Sequence, residues 1–256
     1  MILAIDVGNT NTVVGLMKER KVEVTFRIST QSRTTDELGV LLLTLLEHRG
    51  VSLSDIDGAI ISSVVPSMLY SLEKACRRYL DTEAMVVGRK LKTGMKVRTD
   101  NPREVGADRI VNSVAAYEKW GGPIVVVDFG TATTFDCVAA DGAYVGGAIA
   151  PGVRIAEEAL FSKTAKLPRV EVARPASPIG TNTVHAIQSG LFFGYVGLVD
   201  GLARRCREAL DPDARVVATG GLSNLIGTES EEITDVDAWL TLRGLALLFE
   251  RNHVNQ

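Results

Sequence analysis

Ile5-Asp6-Val7-Gly8-Asn9-Thr10-Asn11-Thr12-Val13-Val14 decides how the rest of the chain is read. An apolar run from Met1 leads into it and reads as a buried strand that delivers Asp6 at its end. Gly8 permits a tight turn, and Asn9 to Thr12 supply short amide and hydroxyl side chains. Val13 to Met17 is apolar again, so the stretch predicts a β-hairpin with a polar tip. Exposed backbone N–H groups, short hydroxyls and one carboxylate are the parts needed to hold phosphate and a hydrated magnesium ion. An Asn-rich tip is by itself usually only a turn. Its recurrence gives it weight.

Val127-Asp128-Phe129-Gly130-Thr131-Ala132-Thr133-Thr134 repeats the spacing. The apolar strand Ile124 to Val127 again ends in Asp, followed by one apolar residue, Gly, and a Thr six positions after the Asp. The offset from Asp6 to Asp128 is close to half the chain, which argues for a duplicated, two-lobed architecture. Val216-Val217-Ala218-Thr219-Gly220-Gly221-Leu222 is a third piece, a strand running into a hydroxyl and paired glycines that suit the flat face of a base or ribose. Two Asp-x-Gly hairpins and a late Thr-Gly-Gly loop, in this order, resemble the actin-like ATPase superfamily of acetate kinases, sugar kinases and heat-shock chaperones. The resemblance implies an α/β protein with a duplicated ribonuclease-H-like fold. Its two lobes of mixed sheet flanked by helices would comprise residues 1–120 and 121–256.

Composition narrows the function class. At 256 residues and 46% hydrophobic, the chain can bury about 70–75% of its unfolded surface. The net charge of −3 and the lack of a basic run leave a nucleic-acid partner unsupported. The apolar stretch Leu191 to Val199 is short and glycine-rich, so no membrane span is expected, and a strand starting at Met1 does not fit a signal peptide. Cys76, Cys137 and Cys206 form no Cys-x-x-Cys pair, and His48, His185 and His253 are scattered. Reduced thiols in a cytoplasmic protein, and no zinc site, are the reading.

Between the hairpins the pattern continues. Val22 to Ser29 predicts a third strand. Thr34-Thr35-Asp36-Glu37 starts a helix in capping-box style, with Leu38, Leu41, Leu42, Leu45 and Leu46 on one face and Gly50 at its end. Gly58 to Val64 predicts a buried strand, Pro66 to Tyr79 a helix and Ala84 to Val87 a short strand. Further on, Ala143 to Ala150 predicts a strand, Pro151 to Phe161 a helix, Thr183 to Leu210 a long helix and Ala238 to Arg251 an amphipathic one. Lys163 to Ser177 is irregular and basic, a cover for a site or a solvated loop, and Asn252 to Gln256 is expected to fray. Gly190, Gly194, Gly197 and Gly201 recur on one helical face, which suits packing against another helix, within the chain or across a dimer seam.

The helix predicted from Asn101 and Pro102 carries the most chemistry, with Asn101 as cap and Pro102 as first helical residue. Ala107, Ile110, Val111, Val114 and Ala115 form its buried stripe, and Asp108 falls on a more polar face one turn after Glu104. Acids near a helix N-terminus often only complement the dipole. Gly106 inside a helix would cost about 1 kcal/mol against Ala, which points to a ligand approaching the backbone there. The segments 6–12, Asn-Pro-Arg-Glu-Val-Gly-Ala-Asp-Arg-Ile-Val-Asn (101–112), 128–134 and Gly-Thr-Asn-Thr (180–183) together resemble type III pantothenate kinases over nearly the whole chain.

That resemblance implies ATP-dependent phosphorylation of pantothenate, the first step of coenzyme A biosynthesis, by a cytoplasmic homodimer. It implies that Asp6, Val7, Gly8, Asn9, Thr10, Asn11, Thr12 and Val13 surround the ATP phosphates, with Asp6 holding magnesium through water. Asp128 would bind a monovalent cation, potassium or ammonium, and Thr131 would contact ATP. Gly106, Ala107, Asp108 and Arg109 would contact pantothenate, with Asp108 as catalytic base, and Thr183 would touch the substrate. The family often has a tyrosine where this chain has Thr99, so one wall of the pocket differs. No Gly-x-x-x-x-Gly-Lys motif supplies a phosphate lysine. The alternatives within this fold are a nucleotide or polyphosphate hydrolase and a regulatory relative acting through a protein partner.

Overall fold

The hairpin motif sits at the centre of a sheet. In a computed structural model, which describes residues 1–88 and 91–253, β1 (Ile2–Val7), β2 (Asn11–Lys18) and β3 (Lys21–Ser29) form an antiparallel meander. α1 (Thr35–His48), β4 (Gly58–Ser63), α2 (Pro66–Tyr79) and β5 (Ala84–Val86) follow. The strand order is β3-β2-β1-β4-β5, with β4 and β5 parallel to β1. Strand and helix alternate after the meander because each parallel return needs a crossover.

α1 starts where its capping box predicts. The Glu37 N–H donates to Thr34 Oγ1 at 3.2 Å, and the Glu37 carboxylate accepts the Thr34 N–H at 2.7 Å. Leu38, Leu42 and Leu46 then pack with Leu72, Ala75 and Cys76 of α2 onto Leu3, Ile5, Val14 and Leu16 of the sheet. Each such leucine contributes roughly 1.5–3 kcal/mol by leaving water.

A 3₁₀ turn, Pro102–Glu104, precedes α3 (Ala107–Trp120). The second half then repeats the first: β6 (Ile124–Phe129), β7 (Ala132–Val138) and β8 (Tyr144–Pro151) form a meander. α4 (Val153–Lys163), α5 (Thr183–Leu210), β9 (Arg215–Gly220), α6 (Ser223–Ile226) and β10 (Asp235–Val236) come next. The order β8-β7-β6-β9-β10 reproduces the first sheet strand for strand, with β9 parallel to β6 as β4 is to β1. The two mixed sheets with flanking helices are the duplicated fold expected from the sequence. α5 is long and apolar enough, by length and composition, to cross a bilayer. Its Ile187, Leu191, Tyr195, Val199 and Ala203 are nonetheless spent on the second core, against Val125, Val127 and Phe135.

The chain divides into two compact units. Met1–Gly94, Asn101–Ala115 and Trp239–Gln256 form the first; Met95–Asp100 and Ala116–Ala238 form the second. The sequence division at residue 120 keeps the C-terminal helix with the second lobe, whereas α7 (Leu240–His253) groups with the first unit. α7 lies on the sheet face away from α1 and α2. A Cβ on Gly15 of β2 would meet Leu242 Cδ1 at 2.6 Å, and one on Gly58 of β4 would run into the Phe249 ring. Gly244 in turn lets α7 approach α3, where an added Cβ would meet the Val111 carbonyl oxygen at 2.6 Å. Asn252 is bonded to Lys92 and Leu248 rather than loose, and the rest of the tail expected to fray is partly outside the described residues.

The helix expected from Pro102 is corrected. Asn101 does cap, accepting the Arg103 N–H at 3.3 Å, but what it caps is the 3₁₀ turn. Val105 then turns extended (φ −73°, ψ 122°) and α3 begins only at Ala107. Glu104 is therefore not one helical turn from Asp108, and its Oε1 accepts from Asn101 Nδ2 at 2.6 Å.

Candidate active site

In the first unit the tip between β1 and β2 is closed by the Gly8 N–H donating to the Asn11 carbonyl at 3.0 Å. Asn9 and Thr10 at its apex are exposed. Thr30, just past β3, braces the tip in three ways. Its hydroxyl donates to the Gly8 carbonyl at 2.8 Å, its N–H to the Thr10 carbonyl at 3.0 Å, and its Oγ1 lies 3.0 Å from Thr12 Oγ1. Thr12 is wholly buried and so serves the brace rather than an open surface. Val7 is buried too, so only its backbone is available to a ligand, while Val13 is half-buried. Asp6 pairs in register with Val13 on one side and Ser62 on the other.

α3 opens in the same unit. Asp108 is half-buried, and its Oδ1 accepts the Arg109 N–H at 2.8 Å. That carboxylate folds back over Gly106, where a Cβ would stand 2.5 Å from Oδ1. Gly106 lies before the helix, not inside it, and the space a Cβ would take is occupied by the Asp108 carboxylate. An alanine there would push the carboxylate aside.

The second unit repeats the hairpin with a change. In the first tip Val7 pairs with Thr12 and Asp6 with Val13; in the second, Phe129 pairs with Thr133 and Asp128 with Thr134. The second loop is one residue shorter, closed by the Gly130 N–H donating to the Ala132 carbonyl at 3.1 Å. The threonine six positions after each Asp is thus not in the same place: Thr134 falls beside Asp128 on the same sheet face, while Thr12 falls opposite Val7. Gly152, ahead of α4, is another close approach, since a Cβ there would collide with the Thr131 carbonyl. Gly220 takes φ +93° and leaves room for the Asp128 carboxylate, which a Cβ at that position would strike.

The two aspartates have matching neighbours. Ser62 on β4 is in register with Asp6, and Thr219 on β9 with Asp128. Both hydroxyls are fully buried, and neither has a hydrogen-bond partner among the described residues. Thr133 Oγ1 is in the same condition. Such groups cost free energy unless something polar reaches them. Carboxylate, hydroxyl and carbonyl oxygens are the donor set of hard cations, magnesium and potassium among them. The described residues include no cluster of three His, Cys, Asp or Glu side chains, so the fit is to an ion that keeps much of its own water.

Thr183 is the first residue of α5, exposed, after the cap Asn182, whose Oδ1 accepts the His185 N–H at 2.9 Å. It lines a groove of about 1020 Å³ between α4 and α5, with Ala156, Leu160, Lys163, Ile187 and Gly190. Thr99 is half-buried with its Oγ1 enclosed and unbonded. The irregular segment 163–177 is pinned by an Arg169 pair to Glu158, by Arg174 to Glu229 at 2.9 Å and by Gln188 donating to the Glu171 carbonyl at 3.0 Å. Asp6 to Val13 and Gly106 to Arg109 therefore share the first unit, and Thr99, Asp128, Thr131 and Thr183 share the second. Sequence reading missed the Thr30 brace at the first tip, and it missed Ser62 and Thr219 as neighbours of the aspartates. Only strand register could have revealed them.

Among solved structures, a ROK family glucokinase from Streptomyces griseus in complex with glucose and AMPPNP has a TM-score of 0.52 at 13% identity, covering 98% of this chain and 99% of that one. An activator of 2-hydroxyisocaproyl-CoA dehydratase from Clostridium difficile with bound ADPNP also has a TM-score of 0.52, at 12% identity, covering 99% and 96%. At such identities these likenesses concern the fold alone. Sequence relatives are much nearer. The type III pantothenate kinase of Syntrophotalea carbinolica is 54% identical over 253 residues, 98% of this chain and 99% of the relative. Those of Myxococcus xanthus and Halalkalibacterium halodurans are 51% and 49% identical, each over 100% of the relative's length. The profile of that family matches residues 2–205. With its duplicated sheets and both Asp-x-Gly hairpins, the chain belongs to the type III pantothenate kinase family.

Proposed function

We propose that the chain transfers the γ-phosphoryl group of ATP to the primary alcohol of pantothenate, forming 4′-phosphopantothenate in the first step of coenzyme A biosynthesis. The observation that carries this reading is similarity to type III pantothenate kinases over nearly the whole chain. A coupled assay of ATP consumption with and without pantothenate tests it. Consumption that depends on pantothenate and yields the phosphorylated acid is expected. Equal consumption without it would mean a hydrolase.

Phosphoryl transfer asks a protein mostly for positioning and electrostatics. The braced tip Gly8–Thr10 offers backbone N–H groups and short side chains to the phosphates, and Asp6 holds the magnesium shell through water. Magnesium bound with ATP neutralises the β- and γ-phosphate charge, the role a P-loop lysine would share. Asp108 accepts the proton of the alcohol, Arg109 pairs with the pantothenate carboxylate through its planar fork, and Gly106, Ala107, Thr99 and Thr183 complete the substrate contacts. Asp128 holds potassium or ammonium, and Thr131 contacts ATP. Three unbridged thiols suit the cytoplasm as the place of reaction.

The monovalent site makes a clean expectation. Activity collapses in sodium-only or tris-only buffer and returns with potassium or ammonium. Initial rates across those buffers measure it, and equal rates would remove Asp128 from this role.

In the same reading the enzyme works as a homodimer with α5 at the seam. Gly190, Gly194 and Gly197 face open space, with nothing within 4 Å of a Cβ built on any of them. A Cβ at position 194 thus meets no obstacle among the described residues, and a loss of assembly in Gly194→Leu points to another copy packing there. Sedimentation should show wild-type dimers and Gly194→Leu monomers or aggregates at micromolar concentration. A monomeric wild type would contradict the dimer.

A further inference from the structure

Two buried hydroxyls stand beside the two aspartates, and no role given so far uses them. Ser62 is the penultimate residue of β4 and Thr219 of β9, as Asp6 is of β1 and Asp128 of β6. Ile5 and Val7 of β1 and Ile61 of β4 belong to the first core, so Asp6 and Ser62 share the other face of the sheet. Val127 and Phe129 of β6 and Ala218 of β9 do the same in the second, which leaves Asp128 and Thr219 together. Strands in a sheet lie about 4.8 Å apart, so each hydroxyl is one side-chain rotation from its carboxylate. The neighbours on the far side do not compete. Val87 follows the β4–β5 pairing beside Ser62, and Asp237 follows the β9–β10 pairing beside Thr219 but is held by Lys119 Nζ at 2.8 Å. Gly220, directly after Thr219, leaves the Asp128 carboxylate room on that side. Ser62 and Thr219 are 0% exposed and neither hydroxyl has a hydrogen-bond partner among the described residues, while Asp6 and Asp128 are half-buried. A single enclosed, unpartnered hydroxyl is a defect in a fold. The same one at the same register in both halves of a duplicated chain points to a ligand-linked use.

We propose that Ser62 and Thr219 are positioning residues for the cations assigned above to Asp6 and Asp128. Each hydroxyl donates to one oxygen of its aspartate and fixes the rotamer in which the other oxygen faces the ion or its water. Both roles rest on that reading of the aspartates. A carboxylate at a strand end turns about χ1 and χ2, and holding an ion freezes both. A hydrogen bond from the neighbouring strand selects one orientation in advance, and a neutral donor leaves the full negative charge for the ion. The hydroxyl gains its missing partner in the same step, so the cost of enclosing it is offset when the ion is bound. In both units the donor comes from the parallel strand next to the aspartate, at the carboxyl ends where α/β sheets hold ligands. Magnesium thereby ties β1 to β4, and potassium ties β6 to β9.

The test is thermal unfolding of the full chain as potassium chloride replaces choline chloride at constant ionic strength. Wild-type Tm should rise with potassium. Thr219→Val keeps the shape of the side chain and removes the hydroxyl. Its Tm in choline chloride should equal or exceed that of wild type, because an enclosed unpaired group is gone. The potassium concentration needed for a given gain in Tm should rise about tenfold, and Thr219→Ser should keep it near the wild-type value. Ser62→Ala should raise the magnesium requirement in ADP by a similar factor, with Tm in magnesium-free ADP unchanged. A variant less stable than wild type without its ion, or one that does not fold, would mean a hydroxyl held by the fold itself and would overturn its positioning role. So would an unshifted ion requirement where Asp128→Asn or Asp6→Asn, run alongside, does shift it. If the aspartate variant leaves the requirement unmoved as well, the ion reading of that aspartate fails and the hydroxyl's role falls with it.

Discussion

Asp108→Asn lowers kcat by about 10²–10⁴, with a much smaller change in the KM for pantothenate. Asparagine keeps the size of the side chain and can still accept the Arg109 N–H, so the head of α3 and its packing survive. What it loses is the ability to take a proton. The carboxylate is held in one orientation by that bond and by the space above Gly106, and a base so positioned needs little reorganisation when the alcohol arrives. Arg109→Ala should behave differently, raising the KM for pantothenate more than the KM for ATP, because in the proposed reading its guanidinium pairs with the pantothenate carboxylate. Steady-state kinetics on both variants, with each substrate varied in turn, separates the two roles. Turnover by Asp108→Asn within a few-fold of wild type would leave Asp108 as a helix-dipole partner and place the base elsewhere.

Asp6→Asn has the second large effect, raising the magnesium concentration for half-maximal rate by roughly 10–100-fold. The residue contributes its backbone to the pairing with Val13 and Ser62, and the isosteric amide leaves those ladders intact. An unchanged Tm is therefore expected alongside the lost activity at limiting magnesium. Magnesium titration at fixed ATP distinguishes this from a general defect, since excess metal should restore part of the rate. An unchanged titration midpoint would rule out the role.

Much of this architecture is legible in the chain because it is local. Alternating apolar residues, an Asp-x-Gly at each strand end and the Thr34 capping box all act within a few residues, so their patterns survive in one dimension. The placement of Ser62 beside Asp6, and of Thr219 beside Asp128, depends on parallel pairing between strands far apart in sequence. Spacing also hides loop length. The threonines six positions after Asp6 and Asp128 match in sequence, yet a loop one residue shorter puts them at different places in the ladder. The Asn101-Pro102 signal is a real start signal, but Val105 leaves the helical region three residues later, and nothing in its side chain announces this. Gly106 is legible as unusual, while the group that fills its space is not, because the direction in which Asp108 folds is a tertiary outcome.

The position of α7 has a consequence for how the protein comes into being. Gly15 and Gly58 leave room for α7, which follows every other element described, so the second face of the N-terminal sheet cannot be covered until α7 has been made. The second core needs nothing beyond Ala238. Translation order and assembly order are thus inverted. The N-terminal sheet waits with one face uncovered until α7 emerges, and a chain truncated shortly before Leu240 would expose that apolar face to aggregation.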